Sequence, residues 1–517
     1  MRVVFSWMDG SLFFRGLTAF LGFLSRVAMG SFIVALFVGT EKSPDEKSAG
    51  QGLFARVFDK ILNGFPKLIK MPSAWPSAVS NLASGSFFFR TLSDSLGTPV
   101  PAPKTGASAW AIPAWGLFAV PVWLMAAITF SAPLLPTMVL AVMLLPVLFF
   151  TFLSRSFEVN HLAVFLFLFV IINFVAGFMS FTPVISLQIA VLVSVLSLSA
   201  IVIPACCRTR ESVDIFILAF LGGAGITGIV GIWQVFAGYV TQEHWIDQDA
   251  FTDIGLRVFS TLGNPNVYGS YLLLVIPVAA ASVIYLKHPF LKILAAGLTG
   301  LLLLNLLLTY SRGCYLALAF AAGIFVLIME KRFVVLFIPA VAALPFVLPA
   351  SIINRFMSII NLGAGMDTST AFRLNIWRGT TRMLRDFWAS GVGQGIEAYN
   401  HIYPYYSFAA IPTPHSHNIY LQIAIELGVV GLLVFIAIMA CYFRIMANFL
   451  RRVTELRLRI MAAAMISAVI AFLFFGIFDY VFYNYRVLLS FYILLGLAVA
   501  FVKANTPKES EPKSEGA

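Results

Sequence analysis

The chain has 517 residues, of which 60% are hydrophobic and only 11% charged, and its mean hydropathy is +0.92. This composition excludes a water-soluble protein and a secreted disulfide scaffold, and it indicates a polytopic membrane protein. The formal net charge is +11, but basic residues of membrane chains usually mark cytoplasmic loops and contacts with anionic lipid. We therefore expect membrane lipid, and no nucleic acid, among its partners.

The two ends of the chain differ from its centre. In residues 1–111, charges such as Arg15, Arg26 and Glu41 interrupt every apolar run before it can span a bilayer comfortably. We interpret this part as a retained interfacial and cytoplasmic N-terminal extension. Residues 504–517 are rich in Lys, Glu, Pro and Ser, which is typical of a disordered cytoplasmic tail.

Apolar runs of bilayer length fill residues 112–503. The predicted spans are 112–130, 133–153, 160–178, 184–204, 213–238, 267–286, 290–309, 312–329, 332–350, 418–443, 460–478 and 487–503. The expected fold is an all-α polytopic membrane protein with about 12 transmembrane helices, and a large external loop, residues 351–417, joins helices 9 and 10. Lys and Arg concentrate in alternate loops, which places both termini in the cytoplasm.

The loops predicted to face outward contain no lysine but several arginines, namely Arg257, Arg312, Arg355, Arg373, Arg378, Arg382, Arg385 and Arg486. A guanidinium group stays charged and binds phosphate or carboxylate through two parallel hydrogen bonds. Contact with lipid headgroups is the alternative for any one of them. Arg312 stands apart because it lies at the start of a span, where an ionisable group is functional unless it is paired.

The external loop shows its own pattern. Helical spacing of Leu374, Trp377, Thr381, Leu384 and Trp388, after several possible N-caps at 367–370, predicts an amphipathic helix. Arg378, Arg382 and Arg385 form a basic stripe on another face, suited to lipid phosphates or simply to solvent. The following GVGQG lacks a preceding strand and the spacing of a dinucleotide site, so a tight turn is expected.

Two histidines end this loop. His415 and His417 flank Ser416 immediately before a predicted span. They could chelate a metal, but no third ligand lies nearby in the sequence, so we expect no metal site. His417 as a base toward an attacking hydroxyl and a histidine that only caps the helix both remain open.

The segment from His417 resembles a known family. The chain reads His-Asn, nine residues and then Gly428-Val-Val-Gly431, which is similar to a signature of O-antigen ligases and related lipid-linked glycan polymerases. In order along the chain, RVFSTLGNPNVYG (257–269) resembles the family's GNPN segment, TYSRG (309–313) its SRG motif, and FRLNIWRG through GVGQG the opening of its external loop. The resemblance covers roughly residues 112–503 and leaves out the N-terminal extension.

The resemblance implies a fold similar to the type C glycosyltransferases and a reaction without metal or cofactor. A glycan would pass, with inversion, from an undecaprenyl-diphosphate carrier to a hydroxyl of a glycan, lipid or protein acceptor. By position, the residues implied as catalytic are His417, Arg312 and Arg257, with the arginines on the diphosphate and the histidine serving the acceptor. The further substrate-binding candidates are Arg373, Arg378, Asn264, Asn266, His415 and Asn418. The site would lie on the external face of the bacterial cytoplasmic membrane, and whether the protein is a ligase or a polymerase is left open.

Two other functions compete with this one. A transporter, for example of inorganic carbon, also suits twelve spans, but coupling ions usually require acidic groups inside the membrane. Here Asp214 and Glu426 lie near span ends and the predicted spans are otherwise nearly free of acidic residues. A non-catalytic scaffold would instead bind glycans by aromatic stacking.

Overall fold

A computed structural model of the protein describes residues 160–207, 209–239, 256–330, 368–408 and 413–506. Within these ranges the structure is helical and contains no strand, which confirms the predicted all-α membrane fold. The N-terminal extension, the first two predicted spans, the ninth and most of the tail lie outside the described residues.

The first group of helices comprises α1 (His161–Phe178), α2 (Pro183–Ser197), α3 (Ser199–Cys206), α4 (Arg210–Phe236), α5 (Pro265–Tyr285) and α6 (Pro289–Leu308). The second group comprises α7 (Arg312–Met329), α8 (Thr368–Asp386), α9 (Ile396–Ile402), α10 (Ile419–Arg452), α11 (Leu456–Phe475) and α12 (Tyr485–Asn505). Short 3-10 turns lie at Ser260–Leu262 and Tyr403–Tyr405.

The described residues contain 9 helical segments long and apolar enough to cross a membrane. Each corresponds to one predicted span, so every predicted span within the described residues is confirmed. One segment, Pro183–Ala205, consists of α2 and α3, which meet at Leu198.

The bundle has a buried centre and an apolar periphery. Helices α5, α11 and α12 are buried along most of their length, and α5 packs against α11 while α3 packs against α12. Helices α6 and α7 have few buried residues although their sequences are apolar. Such surfaces are expected to face lipid, because hydrocarbon chains accept apolar side chains without cost.

Helix α10 is broken at Gly428, whose backbone is left-handed with φ +74°. The break frees carbonyl groups, and the residues before α9 satisfy them: the N–H of Val392 donates to the carbonyl of Ile425, and that of Gly393 to the carbonyl of Glu426. In return, the N–H of Val429 donates to the carbonyl of Trp388. The GVGQG segment is thus a turn, as predicted, but one that is bonded to a helix of the bundle.

The amphipathic helix predicted in the external loop is present as α8, but its predicted apolar face is wrong. Thr381 and Trp388 are exposed, whereas Ile376 and Met383 are fully buried against Tyr399 and neighbouring side chains. The buried face is rotated because α8 packs on the 3-10 turn at 403–405 and on α10. The predicted arginine stripe is exposed.

Candidate functional site

A hydrogen-bonded cluster forms where several helices begin. Four segments distant in sequence meet there: residues 257–266, 309–313, 415–418 and the loop 476–484 between α11 and α12. The resemblance singled out the first three of these segments, and the fourth supplies a carboxylate.

His417 and Asp479 form the core of the cluster. Nδ1 of His417 lies 2.9 Å from Oδ1 of Asp479. An ionised carboxylate only accepts hydrogen bonds, so the imidazole must carry its proton on Nδ1. This tautomer leaves Nε2 as the nitrogen that can accept a proton from a substrate.

Asp479 is held ionised despite its burial. Burial would raise the pKa of this carboxyl, but the hydrogen bond and charge of His417 and the charge of Arg373 outweigh it and hold the pKa well below its usual value. The backbone N–H of Tyr480 also donates to Oδ1 of Asp479, at 2.9 Å. A fixed negative charge beside the imidazole stabilises the ring when it becomes positive.

Asn266 connects this pair to Arg257. Its Nδ2 donates to Oδ2 of Asp479 at 3.2 Å, and its Oδ1 accepts from Nη2 of Arg257 at 3.1 Å. Nε of Arg257 donates to the carbonyl of Thr309 at 2.9 Å, and the guanidinium is only 8% exposed. The amide of Asn266 therefore has a defined orientation, with its donor toward the carboxylate and its acceptor toward the arginine.

Three residues other than glycine have left-handed backbones in the described part of the chain. They are Ser260 (φ 49°), Tyr310 (φ 48°) and His417 (φ 51°). Each costs about 1–3 kcal/mol, and such strain tends to occur at functional sites. Each also lies in a segment that the resemblance had selected, which supports a functional site here.

His415 lies buried behind His417. Its ring stacks on Tyr483 with centroids 5.1 Å apart, and its Nδ1 accepts from the backbone N–H of His417 at 3.2 Å. Burial, and secondly the charge of His417, lower the pKa of His415 to about 3. A neutral His415 thus supports the unusual backbone of His417 and does not itself exchange protons at neutral pH.

The two histidines and Asp479 form a possible metal-ligand set. His415, His417 and Asp479 each offer an atom within 4.8 Å of the others. Nδ1 of His415 already accepts from the backbone, and Nδ1 of His417 donates to Asp479. The expectation of no metal site stays a prediction, and a chelator tests it.

The other predicted site residues differ in their placement. Arg312 is the first residue of α7 and is partly exposed. Arg373 lies close enough to influence both Asp479 and His415, and the ring of its neighbour Phe372 lies 6.0 Å from that of His417. Arg378 is exposed and is not brought to the cluster, because five residues along a helix correspond to a rotation of about 140°.

Two asparagines predicted to bind substrate cap helices. The side chain of Asn264 accepts from the N–H groups of Asn266 and Val267 and caps α5. The side chain of Asn418 accepts from the N–H of Leu421 and caps α10. Their structural role is to fix the helix ends from which Asn266 and His417 project.

Helices α5, α7, α10 and α12 all begin at this cluster. The start of α12 is tied to it by Asn484, whose Nδ2 donates to the carbonyl of Leu262, and by Arg486, whose Nη1 donates to the carbonyl of Thr261. Helix N-termini carry partial positive charge and favour anions. Together with Arg257 and Arg312, they make this end of the bundle suited to a phosphorylated ligand.

Asp479 is the site residue that the sequence interpretation missed. It is the only acidic residue between 460 and 502, at the junction of a span and an outward loop. An ionisable group at such a depth is expected to have a partner. That signal was readable from the sequence, although the identity of the partner was not.

Comparison with known proteins gives a family match over part of the chain. Residues 297–436 match the sequence model of the family described as O-antigen ligase. The matched stretch includes Arg312, Arg373 and His417, while Arg257, Asn266 and Asp479 lie outside it. Comparison with curated protein sequences gives no match.

The fold and the matched domain define a multi-pass membrane protein with an O-antigen ligase-like domain. The resemblance noted in the sequence is thereby confirmed at the level of this domain. The domain supports an O-antigen ligase- or polymerase-like role in glycan assembly.

Proposed function

We propose that the protein is an inverting glycosyltransferase that moves a glycan from an undecaprenyl-diphosphate carrier to an acceptor hydroxyl, without a metal. The observation that supports it most strongly is the chain of hydrogen bonds from His417 through Asp479 and Asn266 to Arg257. It joins a group suited to proton transfer with a group suited to a diphosphate.

The arginine end would bind the leaving group. As the bond between the anomeric carbon and the diphosphate oxygen breaks, negative charge develops on that oxygen. Guanidinium groups of Arg257, Arg312 and Arg373 and the helix N-termini could neutralise this charge without reorganising. The hydrogen bonds of Arg257 to Asn266 and Thr309 hold its guanidinium in place before the donor arrives.

The histidine end would serve the acceptor. Nε2 of His417 accepts the proton of the acceptor hydroxyl while the oxygen attacks the anomeric carbon. Asp479 stabilises the imidazolium that results, and the diphosphate departs from the opposite face of the sugar. Attack opposite the leaving group inverts the anomeric centre.

The cellular setting follows from the same proposal. Lipid-linked glycans are assembled at the bacterial cytoplasmic membrane, and the predicted loop orientation puts the cluster on its external face. The acceptor is a hydroxyl on a glycan, lipid or protein.

The test uses the full chain in nanodiscs with a synthetic undecaprenyl-diphosphate glycan, with chelator present. We expect donor consumption in the wild-type protein and none in His417→Ala or Arg312→Ala. His401→Ala and Arg444→Ala are matched controls, because both side chains are exposed and lie away from the cluster. They should retain wild-type turnover.

The product distinguishes the two activities. Lengthening of the lipid-linked chain identifies a polymerase, whereas consumption only with a different added acceptor identifies a ligase. Turnover retained in the His417 or Arg312 variant, or lost on chelation, would contradict the proposal. Uptake of a substrate into sealed vesicles without any transfer would favour a transporter.

A further inference from the structure

A cavity of about 350 Å³ lies beside the cluster. Its walls come from α1, α2 and α10, from the residues that lead into α9, and from the aromatic loop between α11 and α12. The volume falls within the range of about 300–1,000 Å³ that is typical of small-molecule sites. The catalytic steps described above do not use it.

The polar groups of this cavity are unusual for their depth. Glu426 is 7% exposed, and its Oε1 accepts from Nε2 of Gln422 at 2.9 Å. The hydroxyl of Tyr480 lies 3.5 Å from the other carboxylate oxygen, at the limit of a hydrogen bond. Gln394 is 3% exposed, and among the described residues its Oε1 has no hydrogen-bond partner. The side-chain oxygens of Glu426 and Gln394 favour a ligand that donates hydrogen bonds.

The composition of the lining disfavours an anionic ligand. The acidic groups Glu426 and Glu397 line the cavity, and none of its described lining residues is Lys, Arg or His. Tyr483, Tyr485 and Tyr492 add aromatic rings to the wall. Hydroxyl donors with apolar C–H faces are the chemistry of a neutral or amino sugar, which can combine hydrogen bonds with packing on aromatic rings.

The position of the cavity ties it to the histidine end of the cluster. Tyr480 and Tyr483 form part of its wall, and the ring of His415 packs against both, with ring centroids 5.5 Å and 5.1 Å apart. The Oε1 atom of Gln422 also accepts from the backbone N–H of Ser416, at 2.7 Å, between the two histidines. Arg257 lies at the opposite end of the hydrogen-bond chain, beyond Asp479 and Asn266.

We propose that this cavity is a glycan-binding subsite that holds a neutral or amino sugar of the acceptor, one aromatic layer away from the reacting hydroxyl. The assignment to an acceptor rests on the proposed transferase function. Gln394 and Glu426 accept hydrogen bonds from the sugar hydroxyls. Binding there also holds the backbone of the histidine segment through Gln422.

Binding of simple sugars tests the subsite without any donor. Saturation-transfer difference NMR on the full chain in nanodiscs would use methyl glucoside, methyl glucosaminide and methyl glucuronide as probes. We expect saturation of the first two and little of the glucuronide. Glu426→Gln should weaken binding about threefold or more, because it replaces one carboxyl oxygen by an amide NH2 group, which only donates hydrogen bonds.

Two substitutions on helix α2 distinguish the effect of filling the cavity from the effect of adding a bulky side chain elsewhere on the same helix. Ile189→Trp adds bulk to the cavity wall, whereas Val184→Trp adds the same bulk to α2 at a position 71% exposed. We expect Ile189→Trp to lose the saturation signals and to raise the acceptor KM, and Val184→Trp to keep wild-type values. Signals retained in Ile189→Trp, or equal saturation of the glucuronide, would overturn the proposal.

The two proposals fail separately. Normal transfer with an unchanged acceptor KM in Ile189→Trp would refute the subsite and leave the transferase intact. Sugar binding in a wild-type protein that transfers nothing would overturn the assignment to an acceptor and the proposed function together, although the cavity would still bind sugars.

Discussion

Substitution of Asp479 by Asn isolates the contribution of its charge, because the two side chains have nearly the same size. Asp479 accepts hydrogen bonds from Nδ1 of His417 at 2.9 Å and from Nδ2 of Asn266 at 3.2 Å. An uncharged amide can still accept from His417, but it no longer stabilises an imidazolium as an anion does. The bond to Asn266 is also weakened, since the new amide turns its own donor toward that side chain.

The expected loss follows from these contacts. A hydrogen bond to a charged group contributes about 1.5–3 kcal/mol. In Asp479→Asn this hydrogen-bond energy is lost in the transition state, where His417 becomes positive, and not in the ground state. We therefore expect kcat to fall about 10- to 150-fold. The KM for the donor should change little, because the arginines that bind the diphosphate are retained.

The assay is turnover of the lipid-linked donor at saturating acceptor. Asp386→Asn is the matched control, because the exposed carboxylate of Asp386 accepts, within the described part of the chain, only from the hydroxyl of Tyr406, at 2.6 Å. It should keep wild-type kcat. A kcat for Asp479→Asn within about twofold of wild type would refute the role assigned to the carboxylate.

Two further predictions concern stability, both measured by thermal unfolding in nanodiscs. Burial lowers the pKa of His415 from 6.5 to about 3, so as the pH falls below 6.5 the unfolded chain binds a proton that the folded chain does not. The free energy of unfolding therefore decreases between pH 6.5 and pH 3, by up to about 5 kcal/mol. His415→Gln should remove this pH dependence, and an unchanged profile in that variant would contradict the assignment. Gly391→Ala should destabilise the protein by at least about 1–3 kcal/mol, because Gly391 has φ +67° and the new Cβ would lie 2.4 Å from the carbonyl oxygen of Glu426. Gly297→Ala is its control, since among the described residues nothing beyond its chain neighbours and its own helix backbone lies within 4 Å of that new Cβ. A loss as large as that of Gly391→Ala would show that the close approach is unimportant.

Much of the fold could be predicted because bilayer length and helix-end chemistry are local properties. The start of α5 illustrates this: Asn264 followed by Pro265 is an N-cap and first-turn pair, and the helix begins at Pro265. The face of α8 could not be predicted in the same way. Its burial depends on Tyr399 and on α10, which no spacing within the helix reveals.

In the candidate site too, the residues within local motifs could be predicted from the sequence, whereas those brought in by tertiary contacts could not. The sequence singled out Arg257, Arg312 and His417 through their motifs, and the structure brings Arg257 and His417 into one network. Asp479 lies 62 residues from His417 along the chain, so only the packing of α10 against the loop after α11 shows their pairing. Arg378 was selected for its charge, which does not reveal the direction in which a helical side chain points.

Because of the break at Gly428, the GVGQG segment and helix α10 depend on each other for their backbone hydrogen bonds and are best exchanged together in protein engineering. An external loop exchanged between related enzymes must present backbone N–H groups at the same positions, or the carbonyls of Ile425 and Glu426 lose their donors inside the bundle. A chimera that transfers the loop together with α10 through Val429 keeps these donors and acceptors from one parent. The loop and the broken helix also share the wall of the cavity through Gln394 and Glu426, so the proposed acceptor specificity could be moved between such proteins only as a block that spans both.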